Sequence, residues 1–335
     1  MGIRRLSLEV RPPFRLDLTV WALRRRPHNT VDSWDGTTYR RTLLAGGAPV
    51  AVAVRQEPDD CPDKARLAVE VRRRVAAPSD AALDEVQRRL GRMLGLGLDL
   101  AGFSGLARND GRLDELARRF VGVRPPRFPT VFETLVNAVA CQQVSLTVGI
   151  HLLDRLAHLY GPTAGVRGSA PGFPSAERLA EAQIPELRRL GFSHAKARAI
   201  SLLAPKVASG ALDLEHLEHL DDNKALAALV ALPGIGRWSA EYVLLRGLGR
   251  LHVLPGDDVG ARNNLRRRFG LPVDAGYDEV ARVAAQWRPY GGMVYFHLLL
   301  DGLAGSGHLA ADDSSVPRIA AATEPAADLY RGEVA

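Results

Sequence analysis

Leu232-Pro233-Gly234-Ile235-Gly236, running straight into Arg237-Trp238-Ser239-Ala240-Glu241-Tyr242 and followed by Leu254-Pro255-Gly256-Asp257-Asp258, is the stretch on which the reading of this chain turns. An apolar helical run ends at Leu232 and another begins at Arg237, with hardly a residue between them. Glycine has no Cβ, so Gly234 and Gly236 let the backbone turn sharply and approach a neighbour closely. The first amides of the second helix then point out of the turn unpaired, where they and the helix dipole favour an anion. A nucleic-acid phosphate satisfies both.

Asp258 falls where loop gives way to the helical pattern of Val259, Leu265 and Phe269, so one reading makes it only an N-cap. Seen together with an anion-binding turn, the same carboxylate also has a functional reading. Asp257 is the competing candidate, or a like charge acting on its neighbour. Trp238 and Tyr242 are four apart and share a helix face. They are either core aromatics or a receptor for a flipped base through stacking and cation–π attraction. Gln142-Gln143 interrupts the apolar rhythm between Val131–Ala140 and Val148–Tyr160, as a helix end or surface loop would.

The 335 residues, 46% of them hydrophobic, suffice for a sizeable core and more than one domain. The net charge of +6 suits a polyanionic partner. Cys61 and Cys141 are the only cysteines, too few for a disulfide framework or a four-cysteine iron–sulfur site. A charged N-terminus without an apolar core and the lack of a spanning-length apolar run lead to the expectation of a cytoplasmic protein with no membrane association.

From Ile3 to about Val75 the apolar residues alternate, in sets at Leu16, Leu18 and Val20, at Val50, Val52 and Val54, and at Leu67, Val69 and Val71. Asp35-Gly36 and Gly46-Gly47 punctuate them as hairpin turns do. This predicts a small antiparallel sheet, followed by a helix capped by Ser79 or Asp80 with an apolar stripe through Leu83, Val86, Leu90 and Met93. Beyond Gly105 the pattern is wholly helical. The expected division is an α+β domain over 1–105, an all-helical region over 106–304 with the hairpin at 223–248 and the loop at 254–258, and a disordered tail over 305–335.

The Leu-Pro-Gly-Ile-Gly turn, the Pro255 loop and Asp258 before Val259 together resemble the helix-hairpin-helix (HhH-GPD) superfamily of DNA glycosylases. The placing of Trp238 and Tyr242 is similar to the alkylpurine branch, the 3-methyladenine DNA glycosylase II enzymes. The resemblance spans about Phe14 to Leu303, with its specific motifs between Thr130 and Arg288. It implies a small TBP-like sheet domain followed by a two-lobed helical core with a cleft. It implies Asp258 as the catalytic residue, at the mouth of a cavity beside Trp238. Gly234, Gly236 and Arg237 are implied on the DNA backbone, Gln143 as the wedge that fills the gap left by the flipped nucleotide, and Trp238, Tyr242 and Trp21 in the base pocket, although a Trp21 in the sheet core is equally compatible with its surroundings. The carbonyls of Val230, Leu232 and Ile235 are implied as holders of a monovalent cation, with no iron–sulfur cluster or other cofactor.

Where relatives that also cut the strand carry a Schiff-base lysine this chain has Trp238, which implies a monofunctional enzyme leaving an intact abasic site. The expected substrate is double-stranded DNA with alkylated purines such as 3-methyladenine and 7-methylguanine, and the expected state a monomer. A glycosylase for oxidised or mismatched bases and a lesion-binding module without activity are the alternatives. Leu299 and Val259 stand where the branch has further aromatics, which bears on the lesion range. The basic run Arg24–Arg26 reads as a solvated face rather than a site, Arg262 with Arg266–Arg268 either as phosphate contacts or as a solvated helix face, and His297 as a structural histidine.

Overall fold

A computed structural model describes residues 2–57 and 65–309; Cys61 and the expected tail from 310 onward lie outside the described residues. The N-terminal unit is a five-stranded antiparallel sheet in the order β1-β5-β4-β3-β2, formed by Gly2–Val10, Ser33–Trp34, Thr38–Ala45, Ala48–Gln56 and Ala65–Arg73 as β1 to β5. The register places Leu8 opposite Leu67, Val52 opposite Val71 and Val54 opposite Val69, so the alternating apolar residues share one face. Gly46 and Gly47 join β3 to β4 with φ of +57° and +71°, the conformation a two-residue hairpin turn requires.

The run through Leu16, Leu18 and Val20, expected as strand, is helix α1 (Leu16–Arg24). Its alternation has a physical cause: Leu16, Val20 and Leu23 pack into the sheet core while Leu18 and Ala22 pack into a second core behind the helix. A helix buried on two sides loses the one-sided stripe by which helices are recognised. The same sheet face is closed by α2 (Asp80–Met93), capped by Ser79, through Val86, Leu90 and Met93.

The helical region follows as α3 (Ala101–Ala107), α4 (Gly111–Arg119), α5 (Val131–Cys141), α6 (Leu146–Tyr160), α7 (Ala176–Ala180), α8 (Ile184–Arg189) and α9 (His194–Ala208). A 3-10 turn at Glu215–His219 leads to α10 (Asp222–Val230), α11 (Arg237–Arg246), α12 (Val259–Phe269), α13 (Tyr277–Ala285) and α14 (Gly291–Gly305). Short polar side chains end the free amides at most of these starts: Thr130 caps α5, Ser145 caps α6 and Asp221 caps α10. One helical core gathers α5, α6, α9 and α10; the other gathers α3, α4, α12, α13 and α14.

Helix α11 stands where all the cores meet. Ala240, Val243 and Leu244 enter the first helical core, Leu245 the second, and Tyr242 the core of the sheet unit. A helix apolar all round is a central one, and this position fixes what precedes and follows it. A buried ion-pair cluster, Arg41 with Asp32 and Glu133, joins β3 to α5 across the unit boundary. The chain stays ordered past Gly305: Leu309 is buried and His308 stacks on Trp21 at 6.2 Å, so residues 305–309 of the expected tail are part of the packed structure.

Candidate active site

Asp258 stands at the loop-to-helix junction that the sequence marks. It is the N-cap of α12, with Oδ1 accepting the Ala261 amide at 2.7 Å. That bond orients the carboxylate and leaves Oδ2 directed away from the helix, where it accepts from Trp238 Nε1 at 3.2 Å and the Tyr295 hydroxyl at 3.3 Å. The loop that delivers Asp258 is held from α11: buried Glu241 accepts the Gly256 amide at 3.1 Å and the Tyr277 hydroxyl at 2.6 Å. Burial pushes the Glu241 carboxyl upward from the ordinary range. Asp257 turns the other way and accepts from Arg237 Nε at 3.1 Å.

The indole and the carboxylate therefore touch, and the expected hollow does not lie between them. Trp238 is half-buried. Tyr242 lies behind it, with ring centroids 5.5 Å apart. Only 2% of Tyr242 is exposed, and its hydroxyl accepts from Arg25 Nη1 at 2.8 Å. Burial raises the Tyr242 phenol above its ordinary pKa, and burial with the charge of Asp258 raises that of Tyr295. Trp21 sits on α1, half-buried, under the Arg24 guanidinium and against His308.

The hairpin faces solvent. Gly234 has φ of +77°, and a Cβ there would meet the Ala199 Cβ at 3.0 Å, so this glycine is required by the fold. Gly236 has extended backbone and open space where a Cβ would go, so nothing within the protein requires a glycine there. No side chain caps α11. Arg237 is exposed but engaged, ion-paired with Asp257 and lying 3.7 Å over the Tyr277 ring.

Gln142 and Gln143 divide two tasks. Gln142 ends α5 and donates to the Gly234 carbonyl at 2.8 Å and to Ser239 Oγ at 2.9 Å, binding its loop to the hairpin. Gln143 then takes a left-handed φ of +52° and is exposed beside the hairpin. Gln143 follows the C-cap of α5, a position at which a left-handed residue commonly ends a helix. Arg266 donates to the Pro272 carbonyl, while Arg267 and Arg268 bind buried Asp301 together with Arg119, so this run stitches α12 to α14 and α4. His297 is buried and bonded to the Met293 carbonyl at 2.8 Å.

Sequence reasoning did not single out Tyr295 or Glu241, and it read Arg25 within the run Arg24–Arg26 as a solvated face, whereas Arg24 and Arg25 are buried. Tyr295 lies one turn before Leu299 on α14 and brings an aromatic to the carboxylate from the helix on which Leu299 lacks one. Arg25 closes α1 at φ of +62° and reaches Tyr242 and Asn137 with its guanidinium. A cavity of about 1220 Å³ lies elsewhere, on the open face of the sheet, lined among others by Arg5, Arg40, Arg55 and Arg72; neither Asp258 nor Trp238 borders it.

Comparison with known proteins covers most of the chain. The HhH-GPD superfamily of base excision DNA repair proteins matches residues 136–289, and the AlkA N-terminal domain matches residues 5–129. Escherichia coli DNA-3-methyladenine glycosylase 2 is 31% identical over 189 residues, 56% of this chain and 64% of that protein. A Bacillus subtilis DNA-3-methyladenine glycosylase is 28% identical over 216 residues, 64% of this chain and 71% of that protein. The chain spans 55% and 57% of the length of two further curated relatives. In structure it is similar to the 3-methyladenine DNA-glycosylase from Archaeoglobus fulgidus, with a TM-score of 0.76, 26% identity and coverage of 89% of this chain and 97% of that one. Among the described residues no helix is long and apolar enough to cross a membrane.

Proposed function

The chain belongs to the helix-hairpin-helix (HhH-GPD) superfamily of base excision DNA repair proteins, in the AlkA-type branch, and from that premise we propose that it is a monofunctional glycosylase releasing alkylated purines from double-stranded DNA. The observation that carries the reading is the Asp258 carboxylate, with one oxygen committed to the α12 cap and the other held beside the indole of Trp238. The relatives named for 3-methyladenine support the substrate class.

The exposed hairpin amides bind a phosphate beside the lesion and set the register of the duplex. Gln143 enters the stack as the damaged nucleotide leaves it, and the base stacks on the outer face of Trp238, which Tyr242 backs. The C1′–N bond breaks with its electrons going to the base. A base already cationic from alkylation departs neutral and needs no acid to protonate it. Asp258 Oδ2 stabilises the positive charge left on the sugar while water adds to C1′ and loses its proton to the solvent. Trp238 has no amine to form a Schiff base, so the strand remains intact.

A monovalent cation on the carbonyls of Val230, Leu232 and Ile235 would add positive charge at the bound phosphate. Leu232 already accepts the Ile235 amide at 3.1 Å and keeps one lone pair for it. The protein would act as a monomer on the DNA of the cytoplasm, with no redox cofactor. The test is a panel of duplexes carrying 3-methyladenine, 7-methylguanine, 8-oxoguanine or a mismatch. Release of the methylated purines alone supports the proposal; release confined to the oxidised or mismatched base, or no release at all, contradicts it.

A further inference from the structure

Away from Asp258, the loop after α1 brings His28 against α6. The His28 and His151 rings stack at 4.0 Å, and Asp154 lies one helical turn after His151 on the same face of α6. Among the described residues these three form a group whose ligand atoms all lie within 4.8 Å of one another. Nothing in the repair reaction uses them.

We propose that His28, His151 and Asp154 bind one divalent transition-metal ion of the zinc class, clipping the loop after α1 to α6. His28 Nε2 is shut off from solvent and has no hydrogen-bond partner, so this side chain has an idle ring nitrogen. Asp154 is buried, and Oδ1 is fixed by the Thr30 amide at 2.9 Å and the Thr30 hydroxyl at 2.8 Å, which orients the carboxylate and leaves Oδ2 for a metal. His151 is exposed, and it borders a hollow of about 440 Å³ with Asp154, Arg155 and His158 that gives an ion an entry path and room for a water ligand.

The chemistry of the donors selects the metal. Two imidazoles and one carboxylate suit zinc, nickel or copper and disfavour magnesium and calcium, which seek oxygen alone. Tetrahedral zinc with bonds of about 2.1 Å sets its ligand atoms about 3.4 Å apart. Donors within 4.8 Å need to close by about an ångström, and the stacked rings need to open so that each nitrogen points at one centre. His151 is exposed and free to turn, while the His28 and Asp154 side chains have to close on the ion from the loop and from α6. His158 is not a ligand through Nδ1, which is taken by the Asp154 carbonyl at 2.7 Å. The clip holds the segment that begins with Arg25, the residue bonded to Tyr242, so metal should stiffen the rear of the active site without touching substrate.

The full chain, stripped of metal with a chelator and exchanged into clean buffer, is titrated with Zn²⁺ by calorimetry, with Mg²⁺ as the comparison. The expected result is one zinc per chain, little affinity for magnesium, and a melting temperature raised by zinc. His151→Ala, exposed and dispensable for folding, should bind zinc at least tenfold more weakly and lose the thermal shift while melting like the parent in the absence of metal; His28→Ala should behave likewise. No zinc binding by the parent, or binding of unchanged affinity by His151→Ala, overturns the proposal.

Discussion

The indole nitrogen of Trp238, on α11, donates to Asp258 Oδ2, at the start of α12, at 3.2 Å. In the proposed reaction one side chain thus offers a stacking surface and holds the carboxylate in place. Trp238→Phe keeps the aromatic face and removes the N–H. A hydrogen bond to a charged group is worth about 1.5 kcal/mol or more, so excision at saturating enzyme should slow about tenfold. Binding to abasic duplex should stay close to that of the parent, as a single-turnover assay beside a binding titration will show.

The hairpin glycines should separate by experiment. Gly236→Ala adds a methyl group into open space on extended backbone, so the melting temperature should hardly move while DNA binding weakens about tenfold as the phosphate is kept from the amides. Gly234→Ala must bear positive φ and press on Ala199, which should cost about 1–2 kcal/mol of stability by urea denaturation. Equal stability losses for the two variants would contradict the division of roles.

Gln143 should matter to lesion DNA and to nothing else. Its side chain is exposed, so Gln143→Ala should change stability by less than about 0.5 kcal/mol. Affinity for abasic duplex, where a gap in the stack must be filled, should fall about tenfold, against little change for undamaged duplex. Fluorescence anisotropy on the two DNAs measures the difference.

His297 should make folding sensitive to mild acid. Burial pushes its pKa down to about 4, against about 6.5 in an unfolded chain. Between these values the unfolded state binds a proton that the folded state refuses, so the contribution is intact above pH 6.5 and is lost as the pH falls towards 4. The free energy of unfolding should drop by about 2 kcal/mol more between pH 7 and pH 5 in the parent than in His297→Leu. Parallel stability curves for the two proteins would remove His297 as the cause.

The parts of the site that could be read in the sequence are those marked by punctuation. Pro233, Gly234 and Gly236 break an apolar pattern, Asp258 stands at a loop-to-helix junction, and Gln142-Gln143 interrupts an apolar run; each is polar or conformationally special against a plain background. Helix α1 was illegible because its two buried sides mimic the alternation of a strand. Tyr295 was hidden among the apolar residues Met293 to Leu300, where a tyrosine over the catalytic carboxylate looks like any core aromatic. Arg25 gave no sign of its partner because Tyr242 is 217 positions away and only the closed fold brings them together. Glu241 was detectable in principle, as a lone carboxylate in the apolar run of α11, but what it holds, Gly256 and Tyr277, is a matter of tertiary structure.

The central claim is that Asp258 does the chemistry, and asparagine is the substitution that isolates it, since Asn caps a helix as well as Asp but carries no charge. Single-turnover release of 3-methyladenine from methylated duplex, by the parent and by Asp258→Asn, should show a fall of at least about 100-fold in rate with the fold and DNA binding retained. Release by Asp258→Asn at the rate of the parent would contradict the account.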